Sequence, residues 1–332
     1  MHAYIHSLPK AELHVHLEGT LEPELLLRLA QKHGIPTPYE SVEAARAAYQ
    51  FDSLQSFLNL YYKGADVLRD AEDFYTLTWE YLTRAHAQNV CHVEPFFDPQ
   101  THTARGIPLG AVFEGITGAL RQGEKELGIT SGLIMCFLRD LSEEAALATF
   151  EAALPFREQF VGVGLDSAEV GNPPRKFARV FAKAKAENLH LVAHAGEEGD
   201  SSYIWDALNT LHVTRIDHGI ACEQDPTLVA YLREHAIPLT VCPLSNLKLK
   251  AVPSMEQHNI LRLLKEGVCV TVNSDDPVYF GGCINENYEP LVTHLGATKE
   301  ELKALTCNSF RTSFLSEKEK QAHLARVEKT VV

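Results

Sequence analysis

The chain has 332 residues and a formal charge of −14, and its 45% hydrophobic and 22% charged residues are typical of a soluble globular protein. This length fits one α/β barrel, so we expect a single domain over residues 1–332. The negative charge argues against nucleic acid or an acidic membrane as a partner, because both require a basic surface. We therefore expect a small neutral or cationic substrate.

Cysteine usage and hydropathy predict a reducing, cytoplasmic location. The seven cysteines are odd in number and never spaced as CxxC, which predicts free thiols. Residues 1–10 contain no apolar signal core, and the sequence has no run of 18 apolar residues. We therefore expect neither export nor membrane insertion. The sequence leaves the oligomeric state open.

The first predicted strand, Glu12–Leu17, contains His14 and His16. A strand projects alternate side chains to one face, so both imidazoles are presented together. The segment that follows, residues 20–89, is too long for one crossover helix and is rich in aromatic residues. We expect it to form several helices folded over the mouth of a barrel.

Strand-length apolar runs recur along the rest of the chain and alternate with segments of helical periodicity. The eight predicted strands are Glu12–Leu17, Val90–Phe97, Gly132–Leu138, Val161–Leu165, Leu191–Ala195, Arg215–Gly219, Pro238–Cys242 and Cys269–Val272. Helix signals include the periodic segment Lys176–Asn188, the pair Asp225-Pro226 before Leu228–His235, and a capping box from Thr298 to Glu301. The pattern predicts an α/β fold, a single (β/α)8 TIM barrel with extra helices between strands 1 and 2 that cover the active-site mouth.

Metal-ligand residue types stand at the ends of several predicted strands, where a TIM barrel carries its site. A catalytic zinc prefers nitrogen and oxygen ligands and leaves one position for water, and this set is supplied by His14, His16, His194 and Asp275. Zinc lowers the pKa of a bound water to about 7 and so creates a nucleophile at neutral pH. The sequence therefore predicts one zinc ion per chain.

The same motifs supply groups that can move protons. Glu197 follows His194 by three residues and can exchange a proton with a substrate, whereas His218 can orient or deprotonate the water. Successive side chains of a strand diverge, so we expect Asp275 to face the metal and Asp276 the substrate.

Three other motifs give weaker signals. His92-Val93-Glu94 matches half of the cytidine-deaminase zinc signature, but the required PCxxC is absent. Gly162-Val-Gly164 lacks the third glycine of a dinucleotide loop, and Cys242 is predicted to be a buried thiol.

A binuclear metallohydrolase would need a bridging carboxylate or carbamylated lysine from strand four, and no lysine lies in residues 161–169.

The motifs HxH, HAGE, DHG, CPLSN and NSDDP occur in this order, and with them the chain resembles the adenosine/adenine deaminase family of zinc amidohydrolases over residues 8–315. The resemblance implies hydrolytic deamination at C6 of a purine, a small-molecule substrate. It also implies that His14, His16, His194 and Asp275 bind the zinc. The other implied roles are protonation of ring N1 by Glu197, a position near the water for His218, and contact with purine N7 by Asp276.

One loop distinguishes branches of the family. Adenosine deaminases typically have Leu-Ala-Gly-Asp-Glu after strand four, whereas this chain has Leu165-Asp-Ser-Ala-Glu169, with Ser167 at the glycine position near the purine N3 edge. Together with Glu18 of HLEG, Ser167 would contact a free base in place of ribose. Residues 96–102, 272–277 and 279–282 resemble the adenine deaminase branch. We expect conversion of adenine to hypoxanthine and ammonia. The alternatives are an adenosine or N6-substituted adenine deaminase and, more remotely, a non-catalytic purine-binding relative.

Overall fold

The computed structural model describes residues 1–51 and 53–330, and its parallel strands alternate with helices. The strands found there are β1 (Lys10–Glu12), β2 (Val90–Val93), β3 (Phe96–Phe97), β4 (Thr130–Ser131), β5 (Ile134–Leu138), β6 (Gly162–Asp166), β7 (His190–Ala195), β8 (Arg215–His218), β9 (Leu239–Val241) and β10 (Val270–Val272). The α-helices are α1 (His2–Ser7), α2 (Pro23–His33), α3 (Val42–Ala48), α4 (Leu54–Ala65), α5 (Ala71–Ala87), α6 (Pro99–Thr103), α7 (Leu109–Leu127), α8 (Glu143–Ala153), α9 (Ala178–Ala186), α10 (Ser201–Asp206), α11 (Pro226–Glu234), α12 (Pro243–Lys248), α13 (Ile260–Lys265), α14 (Pro277–Phe280), α15 (Ile284–Thr293), α16 (Lys299–Thr312) and α17 (Glu317–Glu328).

The strands form one closed barrel with eight positions. β2 and β3 share the second position, and β4 and β5 share the third. The hydrogen-bonded orders are β1-β2-β4 and β10-β9-β8-β7-β6-β5-β3, and the pairings are parallel. Two isolated parallel bridges, Val15 to Asp275 and His16 to Phe96, join the first position to the last and to the second. This confirms the predicted (β/α)8 barrel.

The predicted strands agree with the structure within a few residues, except for the first. Its regular ladder ends at Glu12, whereas the sequence predicts a strand from Glu12 to Leu17. Beyond Glu12 the chain divides its hydrogen bonds between the last and second barrel positions. The His16 N–H donates to the Asp275 carbonyl at 2.9 Å and the Leu17 N–H to the Phe96 carbonyl at 3.0 Å. His14 and His16 therefore stand in the closing segment rather than inside a regular strand.

The helix signals are confirmed with small shifts. The Asp225 side chain accepts a hydrogen bond from the Thr227 N–H at the start of α11. Thr298 and Glu301 form the predicted capping box of α16. The periodic segment Lys176–Asn188 forms α9, which begins later than predicted because residues 174–177 form a 3-10 turn after two prolines.

Helices α2 to α5 connect β1 to β2, and α4 lies over the mouth of the barrel. An aromatic cluster joins this helix to α14, which follows β10. Phe57 and Tyr61 of α4 pack against Tyr279 and Phe280, with ring centroids 4.8 to 6.2 Å apart. The expectation that residues 20–89 form helices over the mouth is confirmed, and the aromatic side chains both pack together and cover the site.

A buried ion pair crosses the barrel interior. Glu94, between β2 and β3, accepts a hydrogen bond from the guanidinium of Arg215, the first residue of β8 on the opposite side. A second Arg215 nitrogen donates to the Leu13 carbonyl at 3.2 Å. Burial alone would raise the pKa of Glu94, but the charge of Arg215 and a hydrogen bond from His92 outweigh it and lower the pKa to about 2. This pair links three barrel positions.

None of the described helices is long and apolar enough to cross a membrane.

Breaking the pair of Glu94 and Arg215 should destabilise the protein strongly, because Glu94→Ala leaves a buried guanidinium without its counter-charge. We expect the free energy of unfolding to fall by about 3–5 kcal/mol, measured by urea denaturation at fixed metal concentration. The control is Arg28→Met, which removes an exposed pair with Glu80 and should cost at most about 1 kcal/mol. Equal losses in the two variants would contradict this role for Glu94.

Candidate active site

The four residues predicted to bind a metal lie together where the barrel closes. His14 Nε2 lies 3.2 Å from Asp275 Oδ1, and His16 Nε2 lies 3.1 Å from His194 Nε2. His16 Nε2 is also 3.5 Å from Asp275 Oδ1. All four side chains are buried. Nitrogen and oxygen atoms at such separations can share one ion with bond lengths of about 2.0–2.2 Å.

His218 lies beside this group and connects it to Glu197. Ligand-type atoms of His14, His194, His218 and Asp275 all lie within 4.8 Å of one another. His218 Nε2 is 3.5 Å from Glu197 Oε2 and 3.8 Å from Asp275 Oδ2. The structure therefore brings the two predicted catalytic residues together at the edge of the predicted metal site.

A second layer of polar groups orients the imidazoles. His14 Nδ1 lies 3.0 Å from Thr240 Oγ1, and this hydroxyl donates to Asp217 Oδ1 at 2.8 Å. The other Asp217 oxygen is 3.4 Å from His194 Nδ1. Burial opposes ionisation of Asp217, but the hydrogen bond and charge of His194 outweigh it and hold the pKa below its usual value. Such contacts leave the Nε2 atoms of both histidines free to face an ion.

Three non-glycine residues at the site have left-handed backbone conformations. Ser167, His218 and Asp275 have φ angles of +72°, +64° and +63°, and each stands at or just after the end of a barrel strand. This conformation costs L-residues roughly 1–3 kcal/mol when the surroundings hold it in place.

The cavity at this mouth contains about 370 Å³ of empty space. Its inner wall carries ionisable groups, and its outer wall is formed mainly by apolar and aromatic side chains of α4 and its neighbours. The lining residues are His16, Leu54, Phe57, Leu58, Tyr61, Tyr62, Asp98, Asp166, Ser167, His194, Glu197, His218, Leu249, Asp275, Asp276 and Phe280. Apolar walls with a few polar groups between them are typical of a site for a small molecule.

The predicted substrate-contact residues have different surroundings. Asp276 lines the cavity, and Gly19 approaches it so closely that a Cβ there would lie 1.9 Å from Asp276 Oδ1. Ser167 also lines the cavity, and its hydroxyl accepts a hydrogen bond from Tyr62 at 2.8 Å. Glu18 is buried but is not among the residues that line the cavity.

The Glu18 carboxylate supports the site from beneath. Its Oε1 atom accepts a hydrogen bond from the Asp98 N–H at 3.0 Å and lies 2.7 Å from His102 Nε2. Glu18 therefore holds the backbone of Asp98 in place. Unlike Ser167, it does not line the cavity. Direct contact of Glu18 with the substrate stays a prediction.

Two lining carboxylates were missed by sequence reasoning. Asp98 and Asp166 lie with His16 in a group whose ligand-type atoms are within 4.8 Å of one another. His16 Nδ1 is 3.5 Å from Asp166 Oδ2, and the Tyr61 hydroxyl donates to Asp98 at 3.2 Å. Burial raises the pKa of both carboxyl groups. Each follows a predicted apolar strand, so the strand-end rule that identified the other motifs could have found them.

Glu197 is held in surroundings that favour its protonated form. It is buried, and desolvation together with the negative charges of Asp275 and Glu169 raises its pKa well above the usual value. A raised pKa suits a carboxyl group to act as a general acid.

The weaker sequence signals have structural explanations. His92 lies in β2, where its ring contacts Thr130 and Glu94 at 2.8 and 3.0 Å. Cys242 is buried, and desolvation raises the pKa of its thiol well above the usual value. Neither residue lines the cavity.

A TIM barrel with buried imidazoles and a carboxylate at the carboxyl ends of its strands defines a metal-dependent hydrolase of the amidohydrolase type. The sequence model described as Adenosine deaminase matches residues 9–330, so the chain belongs to the adenosine deaminase family.

Known relatives cover almost the whole chain. A Wolinella succinogenes protein named adenine deaminase is 62% identical over 323 residues, which are 97% of this chain and 98% of the relative. The crystal structure of adenine deaminase from Arthrobacter aurescens superposes with a TM-score of 0.96 at 48% identity and covers 97% of this chain and 98% of its own. A Burkholderia ambifaria amidohydrolase structure with bound Zn has a TM-score of 0.91 at 28% identity, with coverage of 98% and 91%.

Proposed function

We propose that this protein is an adenine deaminase that hydrolyses adenine to hypoxanthine and ammonia with the help of one zinc ion. The observation that carries the proposal is the buried cluster of His14, His16, His194 and Asp275 beside Glu197, in the cavity at the mouth of the barrel. The relatives named adenine deaminase at 54–62% identity support the same substrate.

The donor atoms present fit zinc. Three imidazole nitrogens and one carboxylate oxygen are a set that zinc accepts, and His14 Nε2 is buried without a hydrogen-bond partner among the described residues. The zinc in the Burkholderia ambifaria relative supports this assignment. When bound, the ion supplies a water of lowered pKa at neutral pH.

The chain's own residues would carry the protons and hold the base. Glu197 gives its proton to ring N1, so that C6 becomes more electrophilic as the water oxygen bonds to it. His218, 3.5 Å from Glu197, holds and orients the attacking water. Asp276 contacts purine N7 and fixes the ring in the plane between these groups. Of the two protons of the water, one passes by way of His218 to the amino group, which leaves C6 as ammonia, and the other returns to Glu197. The ring keeps the water oxygen as the carbonyl of hypoxanthine.

The mouth of the cavity favours a free base over a nucleoside. The hydrogen bond from Tyr62 to Ser167 ties helix α4 to the loop after β6. On another side of the same opening, Phe57 packs against Phe280 and Tyr61 against Tyr279. A ribose attached to the base would have to displace these contacts.

Cellular context follows from the same features. The seven cysteines are free thiols, which supports a reducing compartment, and we place the enzyme in the cytoplasm. The net charge of −14 disfavours nucleic acid as a partner. The site residues come from one barrel, in keeping with a single domain.

Glu197→Gln should abolish most turnover because the amide has no acidic proton to give. We expect kcat for adenine to fall by about 10²–10⁴, with zinc content and hypoxanthine binding retained, measured by ammonia release, metal analysis and calorimetry. The control is Glu223→Gln, which removes a carboxylate paired with Arg262 at the surface and should leave kcat within about twofold. A near-normal rate for Glu197→Gln would remove this residue from the mechanism.

Thr240→Val should weaken zinc binding, because it removes the hydroxyl that orients His14. We expect zinc affinity to fall by about 10–100-fold in competition with a chelator. Thr78→Val is the matched control, since its buried hydroxyl donates only to a carbonyl of its own helix. Unchanged affinity in Thr240→Val would mean that this contact does not tune the metal site.

Ser167→Gly should shift specificity towards adenosine, because it removes the acceptor of the Tyr62 hydroxyl and opens the loop after β6. A hydrogen bond is worth about 1 kcal/mol, so we expect the adenosine-to-adenine ratio of kcat/KM to rise at least about fivefold. Tyr75→Phe, which removes a hydroxyl between outer helices, should leave the ratio unchanged. An unaltered ratio in Ser167→Gly would contradict the proposed role of Ser167 in excluding adenosine.

A further inference from the structure

A single buried carboxylate, Glu169, binds the loop that carries Glu197. We propose that Glu169 is a positioning residue that sets the location of the Glu197 carboxyl group for proton transfer. This inference rests on the proposed function, because it takes Glu197 as the proton donor.

The geometry at Glu169 is that of an anion held by consecutive backbone donors. Its Oε1 atom accepts from the Gly196 N–H at 2.6 Å. Its Oε2 atom accepts from the N–H groups of Glu197 at 3.0 Å, Glu198 at 2.8 Å and Gly199 at 2.8 Å. Four successive residues of one loop therefore donate to one side chain, which is itself only 1% exposed.

Apart from Glu169, the loop has one backbone hydrogen bond to another element among the described residues, from the Ala221 N–H to the Gly196 carbonyl at 3.0 Å. It follows the end of β7 and forms bends rather than helix or strand, and Gly196 has a φ of +71°. Buried N–H groups need partners, and leaving one unpaired costs about 1–3 kcal/mol. Because the four donors share one carboxylate, the path of residues 196–199 is fixed by the position of Glu169.

Arg139 holds the same segment from its other end. This buried side chain, just beyond β5, donates to the His194 carbonyl at 2.6 Å and to the Asn172 carbonyl at 2.9 Å. Arg139 is fully buried, and burial lowers the pKa of its guanidinium, an effect that the negative charge of Glu169 opposes in part. Arg139 thus binds the His194 carbonyl before the loop, and Glu169 binds the N–H groups of residues 196–199 within it. These two oppositely charged side chains follow the neighbouring strands β5 and β6.

The loop also packs closely on the carboxylate. A Cβ on Gly199 would lie 3.0 Å from Glu169 Cδ and 2.8 Å from the ring of Tyr203. The Tyr203 hydroxyl accepts a hydrogen bond from the Gly171 N–H at 3.0 Å, which ties the loop after Glu169 to α10. These close contacts restrict movement of the loop relative to Glu169 and Tyr203.

A small displacement of Glu197 would matter for catalysis. Its Oε2 atom lies 3.5 Å from His218 Nε2, and both groups must reach the same substrate. A misplacement of 1 Å can cost about 10²-fold in rate. Substrate binding depends on other residues of the cavity, so loss of Glu169 should act on turnover more than on affinity.

Glu169→Gln tests this role with little change in shape, because one carboxylate oxygen becomes an NH2 that faces N–H donors. We expect kcat for adenine to fall about 10–100-fold, with KM within about threefold and one zinc per chain retained. The control is Glu143→Gln, because Glu143 also accepts from backbone N–H groups, those of Arg179 and Val180, but at the start of outer helix α9. Its kcat should stay within about twofold even if stability falls.

A double variant separates positioning from general structural support. If Glu169 acts through Glu197, then adding Glu169→Gln to Glu197→Gln should lower kcat by less than about threefold, because the group being positioned is already disabled. A purely structural role predicts the same 10–100-fold loss in both backgrounds, and that result would overturn the proposal. Partial rescue by Glu169→Asp, which keeps the charge, is expected as well.

The outcomes distinguish this inference from the proposed function. Wild-type protein that releases no ammonia from adenine overturns both. Active wild type with full kcat in Glu169→Gln overturns only the role of Glu169. If Glu169→Gln yields no folded protein, Glu169→Asp supplies the same test, since its shorter side chain cannot reach all four donors, and an unchanged kcat would then reject the proposal.

Discussion

The closure of the barrel is made by the backbone of the residues that form the site. The His16 N–H donates to the Asp275 carbonyl at 2.9 Å, and the Asp275 N–H donates to the His14 carbonyl at 3.1 Å. The separation of these three side chains is therefore set by strand pairing rather than by a mobile loop, which is how a site gains precision. A shift of one residue in this register would turn the imidazoles away from the axis, so the fold and the site cannot change independently.

This closure concentrates acidic groups in a small volume. Five carboxyl groups line the cavity, and all of them are buried; they are Asp98, Asp166, Glu197, Asp275 and Asp276. Like charges at such distances cannot all be ionised in a poorly solvated space. Protons on some of them, the neighbouring imidazoles and a divalent cation are the available sources of compensation. The aromatic cover of α4 excludes water and strengthens each of these interactions, so the arrangement that weakens folding also favours binding of a cation.

The sequence predicts the site residues that stand at the ends of strands, but not those whose position depends on packing between elements. The eight barrel positions and the motifs around His194, His218 and Asp275 follow from periodicity, because polar residues after apolar runs meet at one edge of a parallel barrel. Asp98 also stands at a strand end, but it belongs to none of the motifs that contain histidine, and a single aspartate after a strand is not specific enough to indicate a site. Contact of Glu18 with the substrate stays a prediction; in the structure its carboxylate accepts a hydrogen bond from the Asp98 N–H, a contact that no local sequence pattern encodes.

The acid and the metal ligand of the proposed reaction are carboxyl groups whose environments differ. Burial opposes ionisation of both. Around Asp275 it is outweighed by His14, His218 and His16, which keep its pKa well below the usual value. Around Glu197 burial is reinforced by the charges of Asp275 and Glu169, and its pKa is raised. The charge of Asp275 thereby helps to raise the pKa of Glu197. Groups driven apart in this way divide acid and ligand roles within one cavity, and the loop that separates them by a fixed distance is as much a part of the chemistry as the side chains.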